Sequence, residues 1–153
     1  MNLTVTDTNV LKSGFTYEGY VTKYNLHCAT GWVCAGLSVA QKATVTIGGN
    51  GTLTATAGGS DGDVNKIGGD TIYWANAGKA AGIGVSCYYS DYSLNNAGVG
   101  DIAINSGTVN AKGSTNSSGY GGPGIGGGTN ESNITITGGN VTAESGSPNS
   151  GWA

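Results

Sequence analysis

The stretch Asn133-Ile134-Thr135-Ile136-Thr137-Gly138-Gly139-Asn140-Val141-Thr142-Ala143 contains two short runs of alternating apolar and polar residues on either side of a glycine turn. Alternation with a period of two is typical of a β-strand with one buried face. The phrase occurs twice more upstream, with first strands Val45-Thr46-Ile47 and Ile102-Ala103-Ile104 and second strands Leu53-Thr54-Ala55 and Val109-Asn110-Ala111. Repeats that lie tens of residues apart predict a solenoid.

A third element completes each phrase, and it reads Ala35-Gly36-Leu37, Ala81-Gly82-Ile83 or Pro123-Gly124-Ile125. The first two strands of a phrase could pair as a hairpin, or the chain could turn a corner so that each strand stacks on its counterpart in the next phrase. We favour the corner because the inward residues become smaller along a phrase and the third element closes a three-sided circuit. Equivalent positions also carry the same residue class, as stacking requires.

The sequence therefore predicts an all-β fold, a parallel β-helix of about three to four coils with three short strands per coil. Ile47 precedes Ile104 by 57 residues, whereas Ile104 precedes Ile136 by only 32. Extra residues in a solenoid usually project as loops from one face, so we expect long loops at residues 58–78 and 84–100, both in one coil. The expected core residues are Val45, Ile47, Leu53, Ile83, Ile102, Ile104, Val109, Ile125, Ile134, Ile136 and Val141.

We expect a single domain over residues 1–153, with residues 1–43 as a degenerate first coil or cap and residues 44–153 as glycine-rich repeats. Gly31-Trp32 precedes one third element with the spacing that Gly119-Tyr120 has before another. Gly151-Trp152-Ala153 begins the same step and does not complete it. This pattern predicts a fragment of a longer chain, truncated within a repeat.

Composition excludes several classes of protein. The chain has 30 glycines but only two prolines and no Gly-X-Y period, which excludes collagen. It has six lysines, no arginine and a net charge of −3, so it lacks the basic face of a nucleic-acid-binding protein. Neither a basic amphipathic stretch nor a long apolar run points to membrane insertion.

The glycine-rich run Gly124-Ile125-Gly126-Gly127-Gly128, followed by residues 133–143, resembles the repeats of large secreted or cell-wall-attached bacterial surface proteins. The resemblance extends from about Thr44 to Ala153. It implies a right-handed parallel β-helix of the pectate-lyase-like type, an adhesin-like protein, and display on the bacterial cell surface or secretion. The family's motifs specify the repeat and provide no catalytic residue.

Aromatic residues cluster in the two expected loops, and they are Tyr73, Trp74, Tyr88, Tyr89 and Tyr92. Aromatic rings beside Asn and Asp can stack on sugar faces or pack against a protein partner, because each ring has an apolar body and Tyr and Trp add a polar tip. The alternative is that these rings pack the loops against the wall of the solenoid. The candidate contact surface is therefore these five residues, with a host glycan or a secreted or cell-surface host protein as the partner.

Two acidic groups are further candidates. Asp61, Asp63 and Asp70 form a weak candidate Ca²⁺ site, although the phrase around them does not repeat and a solvated acidic loop accounts for it as well. Asp91 and Asp101 flank an expected loop and could act as the paired carboxylates of a glycosidase. We otherwise expect no metal, no cofactor and no catalytic residue.

The cysteine and histidine residues leave alternatives open. Cys28 and Cys34 could form a disulfide across a short loop, or all three cysteines, including Cys87, could be small buried thiols. His27 with the cysteines fits no common zinc spacing.

The function that we expect is a non-catalytic module of a bacterial surface protein, a stalk that presents the loops of one coil to its partner. The alternatives are a fragment of a carbohydrate-active β-helix enzyme, a glycosidase or lyase, and a purely structural spacer.

Overall fold

The computed structural model describes residues 1–23, 26–58, 65–67, 70–73, 80–90, 93–96, 98–115, 121–127 and 131–146. No helix occurs in these ranges, and the secondary structure consists of strands alone. The strands are β1 (Asn2–Val5), β2 (Thr8–Lys12), β3 (Phe15–Lys23), β4 (Leu26–Val33), β5 (Leu37–Ser38), β6 (Thr44–Gly49), β7 (Thr52–Thr56), β8 (Asn65–Ile67), β9 (Asp70–Tyr73), β10 (Ile83–Gly84), β11 (Cys87–Ser90), β12 (Ser93–Asn96), β13 (Asp101–Ile104), β14 (Thr108–Lys112), β15 (Ile125–Gly126), β16 (Ile134–Ile136) and β17 (Asn140–Glu144).

Eleven of these strands form three parallel sheets. The first parallel sheet has the order β1-β6-β13-β16, the second β2-β7-β14-β17, and the third β5-β10-β15. Consecutive strands such as β6 and β7 belong to different sheets, so the chain turns a corner between them and does not form a hairpin. This all-β arrangement of parallel sheets is consistent with a parallel β-solenoid, as the sequence predicts.

The register places equivalent positions of the phrases side by side. Ile47 lies opposite Ile104, which lies opposite Ile136, and Ile83 lies between Leu37 and Ile125. Three side-chain contacts repeat the offset of 32 residues between the last two phrases: Lys112 with Glu144, Asn133 with Asp101, and Thr137 with Asn105. Residues that are 32 positions apart in the sequence of the last two phrases are therefore neighbours in stacked strands.

The core is a set of apolar columns between the three parallel sheets. Burial alternates along β6, β7, β13 and β14, as the period of two predicts. Its largest fully buried side chains are Ile47, Leu53, Ile83, Ile102, Ile104, Val85, Val99 and Val109, whereas Val33 of β4 packs in a second cluster with Ala57 and Ala80. The inward residues of β7 decrease in size from Leu53 to Ala55, and both are buried in this core.

The third element contains glycine because the backbones of neighbouring strands approach each other closely there. A Cβ added to Gly82 would lie 2.5 Å from the Lys112 nitrogen and 2.7 Å from the Gly124 oxygen. These are backbone atoms and cannot swing away, so only glycine fits. Gly36 and Gly124 occupy the equivalent positions and show the same crowding.

The prediction that Ile134 and Ile136 lie in the core is wrong. Their side chains are 45% and 53% exposed. Both belong to β16, whose only strand partner in the described chain is β13, so no strand covers their other side. Ile125 and Val141 are only partly buried for the same reason, since β15 and β17 are also edge strands.

The regions expected as long loops contain strands. β8, β9, β11 and β12 join β3 and β4 in a separate six-stranded sheet, which we call the insertion sheet. Its pairings are antiparallel, except that β4 and β9 run parallel. The insertions of two different phrases therefore build one sheet beside the parallel sheets.

Candidate binding surface

Strand β4 organises the insertion sheet. β3 pairs with it along its whole length, from Leu26 to Val33. On β4, β9 pairs with residues 27–28 and β11 pairs with residues 31–33. A strand has two hydrogen-bonding edges, so β9 and β11 share the edge that β3 leaves open.

This arrangement brings the two aromatic insertions to one strand. Tyr73 in β9 lies opposite Cys28, whereas Tyr89 and Tyr88 in β11 lie opposite Gly31 and Trp32. Because a strand rises about 3.3 Å per residue, the three residues from Cys28 to Gly31 separate the positions of Tyr73 and Tyr89 by about 10 Å along β4. Trp74 and Tyr92 lie outside the described residues.

Trp32 is an aromatic residue that the sequence analysis did not include among the contact residues. It lies in β4 directly opposite Tyr88, and its side chain is 38% exposed. A signal for it exists in the sequence, since Gly31-Trp32 is one of the repeated steps, but a repeated step indicates register and not exposure. The structure adds Trp32 to the same strand as the predicted tyrosines.

The candidate Ca²⁺ residues are only partly within the described chain. Asp61 and Asp63 lie outside it, and Asp70 begins β9, where it lies opposite Ile67. Among the described residues, no group of three or more His, Cys, Asp or Glu side chains is close enough to hold a metal ion.

Asp101, one of the two candidate glycosidase carboxylates, has a structural contact. Its Oδ1 accepts hydrogen bonds from the Asn133 backbone nitrogen at 2.9 Å and from Asn133 Nδ2 at 3.2 Å. It thus ties β13 to the residue before β16. Asp101 also lines an open cleft of about 300 Å³ together with Lys42 and Glu131. Asp91, its predicted partner, lies outside the described residues.

The structure excludes the disulfide that was one of the two alternatives for the cysteines. Cys34 carries a free thiol and is half-buried, so the disulfide with Cys28 is absent. Cys87 is not part of a disulfide either and is fully buried at the start of β11. Cys87 packs in the main core cluster, as a small apolar residue would.

Comparison with known proteins gives no relative: no family model, no curated protein and no solved structure matches this chain. A search of the described residues for a helix long and apolar enough to cross a membrane also found none.

Proposed function

We propose that the chain is a non-catalytic module of a bacterial surface protein, in which a right-handed parallel β-helix of three to four coils carries the insertion sheet as a contact surface. The partner is a host glycan or a secreted or cell-surface host protein. The site of action is the bacterial cell surface or the extracellular space.

The observation that carries this proposal is the position of the aromatic residues. Three of the five predicted contact residues, Tyr73, Tyr88 and Tyr89, lie in strands along one edge of β4, beside Trp32. Pairing with β4, which lies far from both insertions in the sequence, brings them there. Aromatic residues contribute much of the binding energy at contact surfaces, because a large rigid ring loses little conformational freedom when it is buried.

The parallel sheets support the stalk part of the proposal. Their strands pair phrase by phrase, so the three sheets extend in one direction with each added phrase. The insertion sheet uses none of the edges of the parallel sheets. Support and contact surface are thus built from different strands.

The rival proposal is a carbohydrate-active enzyme that uses Asp91 and Asp101. Asp101 accepts two hydrogen bonds from Asn133, which gives its carboxylate a structural role between neighbouring phrases. No observation favours catalysis over that role. The purely structural spacer is the third candidate, and it predicts no ligand at all.

The test is binding of the labelled protein to an array of host glycans and secreted host proteins, with Trp32→Ala and Tyr88→Ala as variants. We expect a specific signal, and we expect each variant to weaken it by about tenfold or more, the size of effect seen when an aromatic anchor is removed. Val10→Ala is the matched control, since Val10 is 65% exposed on β2, outside the insertion sheet.

Each outcome separates the candidates. Absence of any signal favours the spacer, and turnover of an arrayed glycan that Asp101→Asn abolishes favours the enzyme. A signal that survives both aromatic substitutions contradicts the insertion sheet as the contact surface. Loss of the signal in EDTA supports a Ca²⁺ site that includes Asp61, Asp63 or Asp70.

A further inference from the structure

The insertion sheet has one face against the core and one face turned away from it. Val33 of β4 lies opposite Cys87 of β11, and both side chains are fully buried. Burial alternates at this end of β4, where Gly31 and Val33 are buried and Trp32 between them is 38% exposed. Because successive residues of a strand belong to opposite faces of a sheet, Trp32 marks the face turned away from the core. We call this face the outer face and the other the inner face.

The strand register identifies the neighbours of Trp32 on the outer face. Residues directly opposite each other in paired strands belong to the same face. On one side Trp32 lies opposite Thr16 of β3. On the other side it lies opposite Tyr88 of β11, which is itself opposite Asn95 of β12. The outer face therefore has a row across four strands, in which two neighbouring aromatic residues stand between two polar ones.

Tyr73 belongs to the outer face as well. It lies opposite Cys28, which precedes Trp32 by four residues on β4. An even separation keeps two residues of one strand on the same face, and the irregularity in the pairing of β3 with β4 adds its extra residue to β3. With a rise of about 3.3 Å per residue, the Tyr73 position lies about 13 Å along β4 from Trp32. Tyr89 differs, since it lies opposite the buried Gly31 and so belongs to the inner face.

The size of this patch favours a sugar over a protein as the partner. The row across the strands spans three strand spacings, about 14 Å, and the Tyr73 position lies about 13 Å away, so the patch covers roughly 200 Å². A stable protein–protein interface buries about 800 Å² on each partner. A sugar ring is similar in size to one aromatic side chain. Its apolar C–H face stacks on such a ring, and its hydroxyl groups can bond to amide and hydroxyl groups at the margin.

The charge of the patch favours a neutral sugar. The residues of the patch are all uncharged at neutral pH, and they are Thr16, Trp32, Tyr73, Tyr88 and Asn95. The whole chain has no arginine and a net charge of −3, so its field repels anionic ligands. The carboxylate of a sialylated glycan or the sulfate of a sulfated one would therefore be bound less well than the uncharged parent chain.

We infer that the outer face binds an uncharged oligosaccharide, with one sugar ring at Trp32 and Tyr88 and a further part of the same chain at Tyr73. This inference rests on the proposed function and narrows its partner to one class of ligand. A distance of about 13 Å is longer than one sugar ring, so a monosaccharide reaches only one of the two positions. Affinity therefore rises with chain length until both positions are occupied by one molecule.

The test is an array that carries neutral chains from monosaccharides to hexasaccharides, sialylated and sulfated forms of the same chains, and secreted host proteins. We expect the labelled protein to bind neutral chains and to prefer them over their charged forms. Calorimetric titration with the best neutral series, as free oligosaccharides, then gives the affinities. We expect the hexasaccharide to bind about tenfold or more tighter than the disaccharide.

Three variants separate the two positions. Tyr73→Ala should weaken binding of the hexasaccharide about tenfold more than that of the disaccharide. Trp32→Ala should weaken both by about tenfold or more, and Trp32→Tyr, which keeps a flat ring, should recover most of that loss. Val10→Ala is the matched control, because it removes an exposed apolar side chain from β2, outside the insertion sheet. Circular dichroism checks that each variant is folded.

The outcomes distinguish this inference from the proposed function. Binding of a host protein with no neutral chain bound overturns the inference and leaves the insertion sheet as a contact surface. A preference for sialylated or sulfated chains over their neutral parents does the same. Equal affinity for monosaccharides and hexasaccharides contradicts the arrangement of two positions. An array on which neither glycan nor protein is bound contradicts the proposed function itself, and the inference with it.

Discussion

At the scale of single residues, the third element depends on glycine. We predict that Gly82→Ala lowers the free energy of unfolding by about 3 kcal/mol or more, near the upper end of the range for point mutants. The reason is that the new Cβ would lie 2.5 Å from the Lys112 nitrogen and 2.7 Å from the Gly124 oxygen, and neither backbone atom can move without disturbing a stacked strand. Urea denaturation followed by circular dichroism measures the change.

Gly14→Ala is the control for this residue. A Cβ added to Gly14 meets no heavy atom within 4 Å, so we expect a change within about 0.5 kcal/mol. Equal losses for Gly82→Ala and Gly14→Ala would show that backbone crowding does not explain the repeated glycine.

At the scale of strands, burial depends on whether a strand has neighbours on both edges. Ile104 and Ile136 occupy the same column, but Ile104 is 0% exposed and Ile136 is 53% exposed. We predict that Ile104→Ala costs about 2–5 kcal/mol of unfolding free energy, because it leaves a cavity in the core. Ile136→Ala should cost less than about 1 kcal/mol, since its side chain is already half in water.

Chemical denaturation of the two variants at micromolar concentration makes the comparison. A large loss for Ile136→Ala under these conditions would mean that another strand covers β16 in solution.

The difference between strands with neighbours on both edges and strands with one neighbour also explains how far the sequence predicts burial. The parallel strands are predictable because stacking places one residue class at one position in every phrase, so Ile47, Ile104 and Ile136 show the repeat. Exposure of Ile136 is not predictable in that way, because a residue pattern describes a strand and not its neighbours. The sequence signal is equal for a covered strand and an uncovered one.

The insertion sheet could not be predicted for a different reason. Its strands come from segments as distant as Trp32 and Tyr88, and they pair mostly antiparallel without any repeated phrase. A long-range antiparallel pairing leaves no period in the sequence. The aromatic residues could be singled out from the sequence, but their common position beside β4 could not.

At the scale of the whole molecule, stability in a stacked architecture is approximately a sum of contributions from each repeat and from the interfaces between neighbours. Strands in the middle of the parallel sheets, such as β6 and β13, have two neighbours each, whereas β1 and β16 have one. Local opening should therefore be least costly at the ends.

We predict a gradient of amide hydrogen exchange, slow in β6, β7, β13 and β14 and faster in β16 and β17. Mass spectrometry of peptic fragments from a dilute sample measures it. Uniform protection along the chain would indicate a single cooperative unit.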